Sequence, residues 1–149
     1  MLWGEHPIYG TRFLLYCLHA KMNCKALNIL VVDDEKTVSD ALKMLLKHFG
    51  HSVDVLDDVE EALSKLRKQP DHYHILITDH LMPKISGLEL LEQLPRNTFK
   101  GEVIVISGYL TPEIEAKYRE LGVATILQKP FKVGELRQAV EEMRPAAAA

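Results

Sequence analysis

Polar residues with chemical potential stand where apolar runs stop. Asp33, Asp34 and Glu35 follow Ile29-Leu30-Val31-Val32, and Asp79 follows Ile75-Leu76-Ile77-Thr78. Ser107 and Gly108 follow Val103-Ile104-Val105-Ile106, and Gln128-Lys129-Pro130 follows Ala124-Thr125-Ile126-Leu127. Carboxylates crowded together repel and raise each other's pKa unless a cation joins them. A hard divalent ion resolves that conflict, and Mg²⁺ prefers one or two carboxylates plus waters. Lys129 adds a compact charge suited to a phosphoryl oxygen. Taken singly, each residue has a plainer reading. An Asp at a strand end is usually a cap or a turn residue, and Asp34 is placed to cap the first helix. Ser107 reads as a turn hydroxyl and Lys129 as a solvated charge. The recurrence of such residues at the ends of four separate runs outweighs these readings.

The runs themselves imply strands. They are short, β-branched and almost continuously apolar, which suits strands buried on both faces of a parallel sheet. A fifth run, Ser52-Val53-Asp54-Val55-Leu56, partly alternates and suits an edge strand. Helical stripes lie between them: Val38, Ala41, Leu42, Leu45, Leu46 and Phe49, stopped by Gly50; Val59, Ala62, Leu63 and Leu66; Leu88, Leu91 and Leu94. Ile114, Tyr118 and Leu121 form a thinner stripe after Thr111-Pro112, a cap followed by proline at the first helical position. Val133, Leu136, Val140 and Met143 complete the set. This alternation predicts an α/β fold of (βα)₅ type, a doubly wound parallel sheet of order 2-1-3-4-5, flavodoxin-like. In such a sheet ligands bind outside the carboxyl ends of the strands, where the polar residues above are found.

Length and composition agree with one such domain. At 149 residues the chain is sized for a single core. A net charge of −3 gives no support to direct nucleic-acid binding, which asks for a basic bias. The two cysteines, Cys17 and Cys24, cannot form a disulfide framework. The N-terminal apolar run Phe13 to Leu18 is too short for a bilayer span or a signal-peptide core, so the expectation is a cytoplasmic protein with no membrane partner. Residues 1–26 show no clean period and read as an extension, with a second methionine at Met22 that allows residues 1–21 to be an upstream-start artefact. Residues 145–149 read as a tail or linker stub.

Across residues 27–144 the sequence resembles the receiver domain of two-component response regulators. The resemblance is carried in order by Val31-Val32-Asp33-Asp34-Glu35, Asp79-His80-Leu81-Met82-Pro83 with Gly87, Ile106-Ser107-Gly108, and Gln128-Lys129-Pro130-Phe131. It implies that Asp79 is the phospho-acceptor and that Mg²⁺ is held by Asp34 directly, Asp33 largely through water, Asp79, and the backbone carbonyl of Leu81. It implies that Ser107 bonds the phosphoryl group, that Lys129 pairs with it across a cis peptide to Pro130, and that Gly108 leaves the approach open. The implied donor is a sensor histidine kinase or phosphotransfer protein, and the implied readout is a remodelled surface of helix 4, strand 5 and helix 5. That surface would meet an effector protein, an output domain beyond this sequence, or a second copy in a phosphorylation-dependent homodimer. The implied class is a signalling domain, not an enzyme, that assists its own phosphoryl transfer and dephosphorylation.

Departures and rivals sharpen this reading. The family usually has Tyr or Phe three residues before the lysine; here Ile126 stands there. Leu81 and Tyr109, each two residues after Asp79 and Ser107, flank the route of the hydrolytic water. A Mg²⁺-dependent phosphatase with an Asp nucleophile would want a second acid at position 81. A flavin or dinucleotide carrier would want a Gly- or Ser/Thr-rich loop where Asp33-Asp34-Glu35 repels phosphate. A receiver-like module that is never phosphorylated is argued against by the intact acids and lysine. His72, His74 and His80 lack metal spacing and are expected at the surface. Cys17, His19 and Cys24 fall short of the four ligands of structural zinc.

Overall fold

A computed structural model describes residues 25–94 and 97–144. The N-terminal extension up to residue 24, the Phe13 to Leu18 run, the Cys17, His19 and Cys24 set, and the tail from 145 lie outside the described residues. Strands and helices alternate: β1 (Asn28–Val32), α1 (Lys36–His48), β2 (Ser52–Leu56), α2 (Val59–Lys68), β3 (Ile75–Asp79), α3 (Gly87–Gln93), β4 (Glu102–Ser107), α4 (Pro112–Glu120), β5 (Thr125–Gln128) and α5 (Val133–Glu142). All pairings are parallel and the sheet order is β2-β1-β3-β4-β5, as expected. β2 and β5 are the edges, which agrees with the weaker patterning of Ser52–Leu56.

The near-continuous apolar strands divide by their period of two between the two faces of the sheet. Ile29, Val31, Ile75, Ile77, Ile104 and Ile106 pack under Leu42 and Leu46 of α1 and Leu136, Ala139 and Val140 of α5. Leu30, Val32, Leu76, Val103 and Val105 face Ala62, Leu63 and Leu66 of α2, Leu90 and Leu91 of α3, and Tyr118 of α4. Burying side chains of this size contributes roughly 1.5–3 kcal/mol each, so these two layers hold the sheet between helices. Helix α4 is the exception, because Tyr118 is its one buried residue.

Local chemistry sets the ends of the helices. Gly50 takes φ +93°, a left-handed conformation that glycine adopts without penalty, and α1 stops just before it. Thr111 accepts a hydrogen bond from the Ile114 N–H, with Pro112 opening α4 as the sequence predicts. Two further caps extend the pattern: Asp58 accepts from the Glu61 N–H, and Ser86 and Glu89 form a reciprocal capping box on α3. Asp34 does not cap α1. The N-cap position is Glu35, which has no side-chain cap, and the Glu35 N–H donates instead to Asp33 Oδ1 at 2.9 Å.

Candidate functional site

Strand order reverses beside β1, because α1 carries the chain to β2 on one side and α2 returns it to β3 on the other. The crevice at the carboxyl ends of β1 and β3 is therefore the place where side chains from distant segments meet. Asp33 follows β1 directly and Asp79 is the last residue of β3; both are buried, while Asp34 is exposed. One carboxylate oxygen from each of Asp33, Asp34 and Asp79 lies within 4.8 Å of the other two. Lys129, one residue past β5, places its Nζ 3.2 Å from Asp79 Oδ2. Its backbone N–H donates to the Ser107 carbonyl at 2.7 Å, and its peptide to Pro130 is cis, as the resemblance implies.

The electrostatics follow from burial. Desolvation pushes the Asp33 carboxyl above the ordinary carboxylate range, and the charges of Asp79 and Asp34 push the same way. The Glu35 N–H and the Lys129 ammonium oppose them. Lys129 alone cannot balance three acids. A donor set of clustered hard oxygens, uncompensated and open to solvent at Asp34, fits a hydrated divalent cation of the Mg²⁺ type.

The rim of the site is built from the other expected residues. Ser107 ends β4 and is buried, with its Oγ donating to the Tyr109 carbonyl at 3.1 Å. The turn-hydroxyl reading thus describes Ser107 in this structure, one residue past the β4 partner of Asp79. A Cβ built on Gly108 meets nothing within 4 Å, so the space above the strand end is open. Leu81 and Tyr109, two residues past Asp79 and Ser107, are 71% and 72% exposed. Ile126 lies in β5 opposite Val105, half-buried against the cluster that includes Tyr118.

His80 requires a correction. It is buried, not at the surface, and its Nδ1 lies 2.6 Å from the Tyr118 hydroxyl. His72 is exposed as expected, and His74 is half-buried with Nδ1 accepting from the Asn28 N–H at 2.9 Å. Burial drives the His80 imidazole below its ordinary pKa and the Tyr118 phenol above its own. The ring nitrogen and the hydroxyl satisfy each other in one buried hydrogen bond. Residue 80 lies one position past β3, beyond the alternation that marks the strand, so the sequence carried no signal for its burial.

Comparison with known proteins bears on the family and the fold. The profile of the response regulator receiver domain family matches residues 29–141. The response regulator RppA of Synechocystis sp. is 32% identical over 110 residues, 74% of this chain and 47% of that protein. The peroxide stress-activated histidine kinase mak3 of Schizosaccharomyces pombe is 30% identical over 115 residues, 73% of this chain but 5% of that protein. The chain thus spans half or less of the length of these relatives. Among solved structures, a response regulator receiver protein from Pseudomonas putida superposes with a TM-score of 0.71 at 30% identity, covering 80% of this chain and 99% of that one.

Proposed function

From the premise that this chain belongs to the receiver domain family of two-component response regulators, we propose that Asp79 is its phospho-acceptor and that residues 27–144 form the switch unit. The observation that carries the proposal is the Lys129–Asp79 contact of 3.2 Å at the mouth of the acidic cluster. An ionised carboxylate there is a nucleophile that needs no base. Asp79 attacks the phosphorus of a phosphohistidine on a sensor kinase or phosphotransfer protein. The new O–P bond forms as the N–P bond breaks, and the leaving imidazole keeps the electron pair. Lys129 neutralises charge on the transferred oxygens, which supplies much of the catalysis in phosphoryl transfer. Asp33, Asp34, Asp79 and the Leu81 carbonyl would hold Mg²⁺, which when bound would neutralise further charge on those oxygens. Ser107 turns its hydroxyl from the Tyr109 carbonyl to the phosphoryl group and draws the β4–α4 loop with it. Such a local change of charge biases the weakly held α4 and the α4–β5–α5 surface. That surface then meets an effector or output domain, or a second copy. Hydrolysis of the acyl phosphate between Leu81 and Tyr109 resets the switch.

The test is incubation with acetyl phosphate and Mg²⁺ followed by intact-mass spectrometry. One phosphoryl addition is expected, absent in Asp79→Asn and absent when EDTA replaces the ion. Labelling that persists in either case contradicts the assignment.

A further inference from the structure

We propose that the buried hydrogen bond between His80 and Tyr118 is a tether that holds α4 against the segment bearing Asp79, so that events at Asp79 reach α4 through residue 80 as well as through Ser107. The second half of this statement rests on Asp79 being the phospho-acceptor. The first half does not.

The tether is built from both ends. The His80 N–H donates to the Ile106 carbonyl and the His80 carbonyl accepts from the Gly87 N–H, each at 2.9 Å, so the backbone of residue 80 is fixed to β4 and α3. Its imidazole Nδ1 lies 2.6 Å from Tyr118 Oη, with the rings edge-on at 80° and centroids 5.5 Å apart. Gly87 opens the slot between them: a Cβ there would run into the Asp79 carbonyl oxygen and stand 3.0 Å from Tyr118 Oη. The Tyr118 hydroxyl and the Asp79 carbonyl thus both border the space that Gly87 leaves open. Tyr118 is also the only fully buried side chain of α4, so this contact sits at the helix's most deeply buried point.

Packing alone does not ask for this arrangement. A phenylalanine would fill the same volume, whereas a buried hydroxyl and a buried imidazole are tolerated together because each satisfies the other. Residue 80 is one peptide bond from Asp79, and it cannot shift without straining or breaking that pair. Breaking it leaves two buried polar groups without partners, which makes the contact a two-state element.

The experiment is hydrogen–deuterium exchange of the full chain, followed over residues 112–120. Tyr118→Phe keeps the ring and removes the hydroxyl. His80→Leu removes the hydroxyl's partner, and His80→Asn retains a polar group near the Nδ1 position. In the unphosphorylated chain, α4 should exchange about two- to tenfold faster in Tyr118→Phe and His80→Leu, with β1 and β3 unchanged and His80→Asn close to wild type. After acetyl phosphate and Mg²⁺, the change that phosphorylation produces in α4 should fall at least about twofold in Tyr118→Phe at equal phosphoryl loading. Unaltered α4 exchange in Tyr118→Phe, or a full phosphorylation response in that variant, overturns the tether. A wild-type chain that takes up no phosphoryl group refutes the proposed function instead, and the unphosphorylated comparison then decides the tether.

Discussion

At Asp79 attraction and repulsion meet within a few ångströms: Lys129 stands 3.2 Å away, and Asp33 and Asp34 close the other side. Replacing Lys129 by Met keeps the length of the side chain and removes its charge. Loss of one preorganised charge-stabilising group slows such reactions about 10²-fold, so phosphoryl uptake from acetyl phosphate should fall by about that factor. The acids lead to a second expectation. Asp33 has a folded-state pKa above its unfolded value, so the folded state binds more protons across that interval and loses stability as pH rises through it. At neutral pH the buried Asp33 carboxylate is therefore a standing destabilisation that a divalent ion would relieve. Mg²⁺ at about ten times its dissociation constant should add about 1.4 kcal/mol, or roughly 3–6 °C of melting temperature, relative to EDTA. Asp34→Asn should shrink that rise. No difference between Mg²⁺ and EDTA would count against a cation site here.

Among the elements, α3 and the β4–α4 loop respond to different forces. Helix α3 opens on a glycine after its Ser86 cap because its backbone there passes against the Asp79 carbonyl, where no side chain fits. Gly87→Ala should destabilise the fold by about 1–3 kcal/mol, seen as a lower urea midpoint with unchanged m-value. The β4–α4 loop is held by the Ser107 Oγ bond to the Tyr109 carbonyl, which phosphorylation should exchange for a bond to the phosphoryl group. Ile126 lacks a hydroxyl to trade between solvent and a buried partner, and its branched Cβ restricts χ1. A pair of structures with and without beryllofluoride should show movement at Ser107 and in the loop, and methyl NMR no rotamer change at Ile126. A rotamer change at 126 coupled to Ser107, with Tyr109 still, would show an aliphatic residue acting in the aromatic's place. The Thr111-Pro112 start of α4 was legible because capping is a local rule. The Ser86 to Glu89 box obeys the same rule but stands before a short helix with a sparse apolar stripe.

Across the whole molecule, the end of the sheet opposite the acidic site carries its own titration. His51 is buried, accepts the Leu27 N–H at Nδ1, and leaves Nε2 without a partner. Burial, aided by the charge of Arg144, lowers its pKa below the ordinary histidine value. A depressed histidine binds fewer protons folded than unfolded, so its contribution is present above about pH 6.5 and is lost as pH falls through its folded-state pKa. The melting temperature should drop between pH 7 and pH 5, and His51→Asn should flatten that dependence. Arg144 also reaches back to the Lys25 carbonyl at 2.8 Å, closing the described chain on itself. A chain beginning at Met22 retains this contact. It should match the full chain in melting temperature and phosphorylation rate; a loss of several kcal/mol would show that the upstream residues pack on the domain.

Patterns of period two and near 3.6 are local, so the sequence alone was sufficient for the strand and helix order, the parallel sheet and the α/β class. Handedness and connection rules then left few topologies, and the observed order was among them. Asp33, Asp79, Ser107 and Lys129 stood out in the sequence because each breaks an apolar run at its carboxyl end, where an open parallel sheet places ligands. Tertiary structure decided what depends on distances between segments far apart in sequence. It brought Lys129 to Asp79 across 50 positions, turned the Ser107 hydroxyl onto its own loop, and took His80 from an expected surface position into a buried bond with Tyr118. No periodicity reports such a pairing. A histidine next to an acid looks solvated until the facing helix supplies a partner, and only the packing of α4 over Gly87 makes the two residues neighbours.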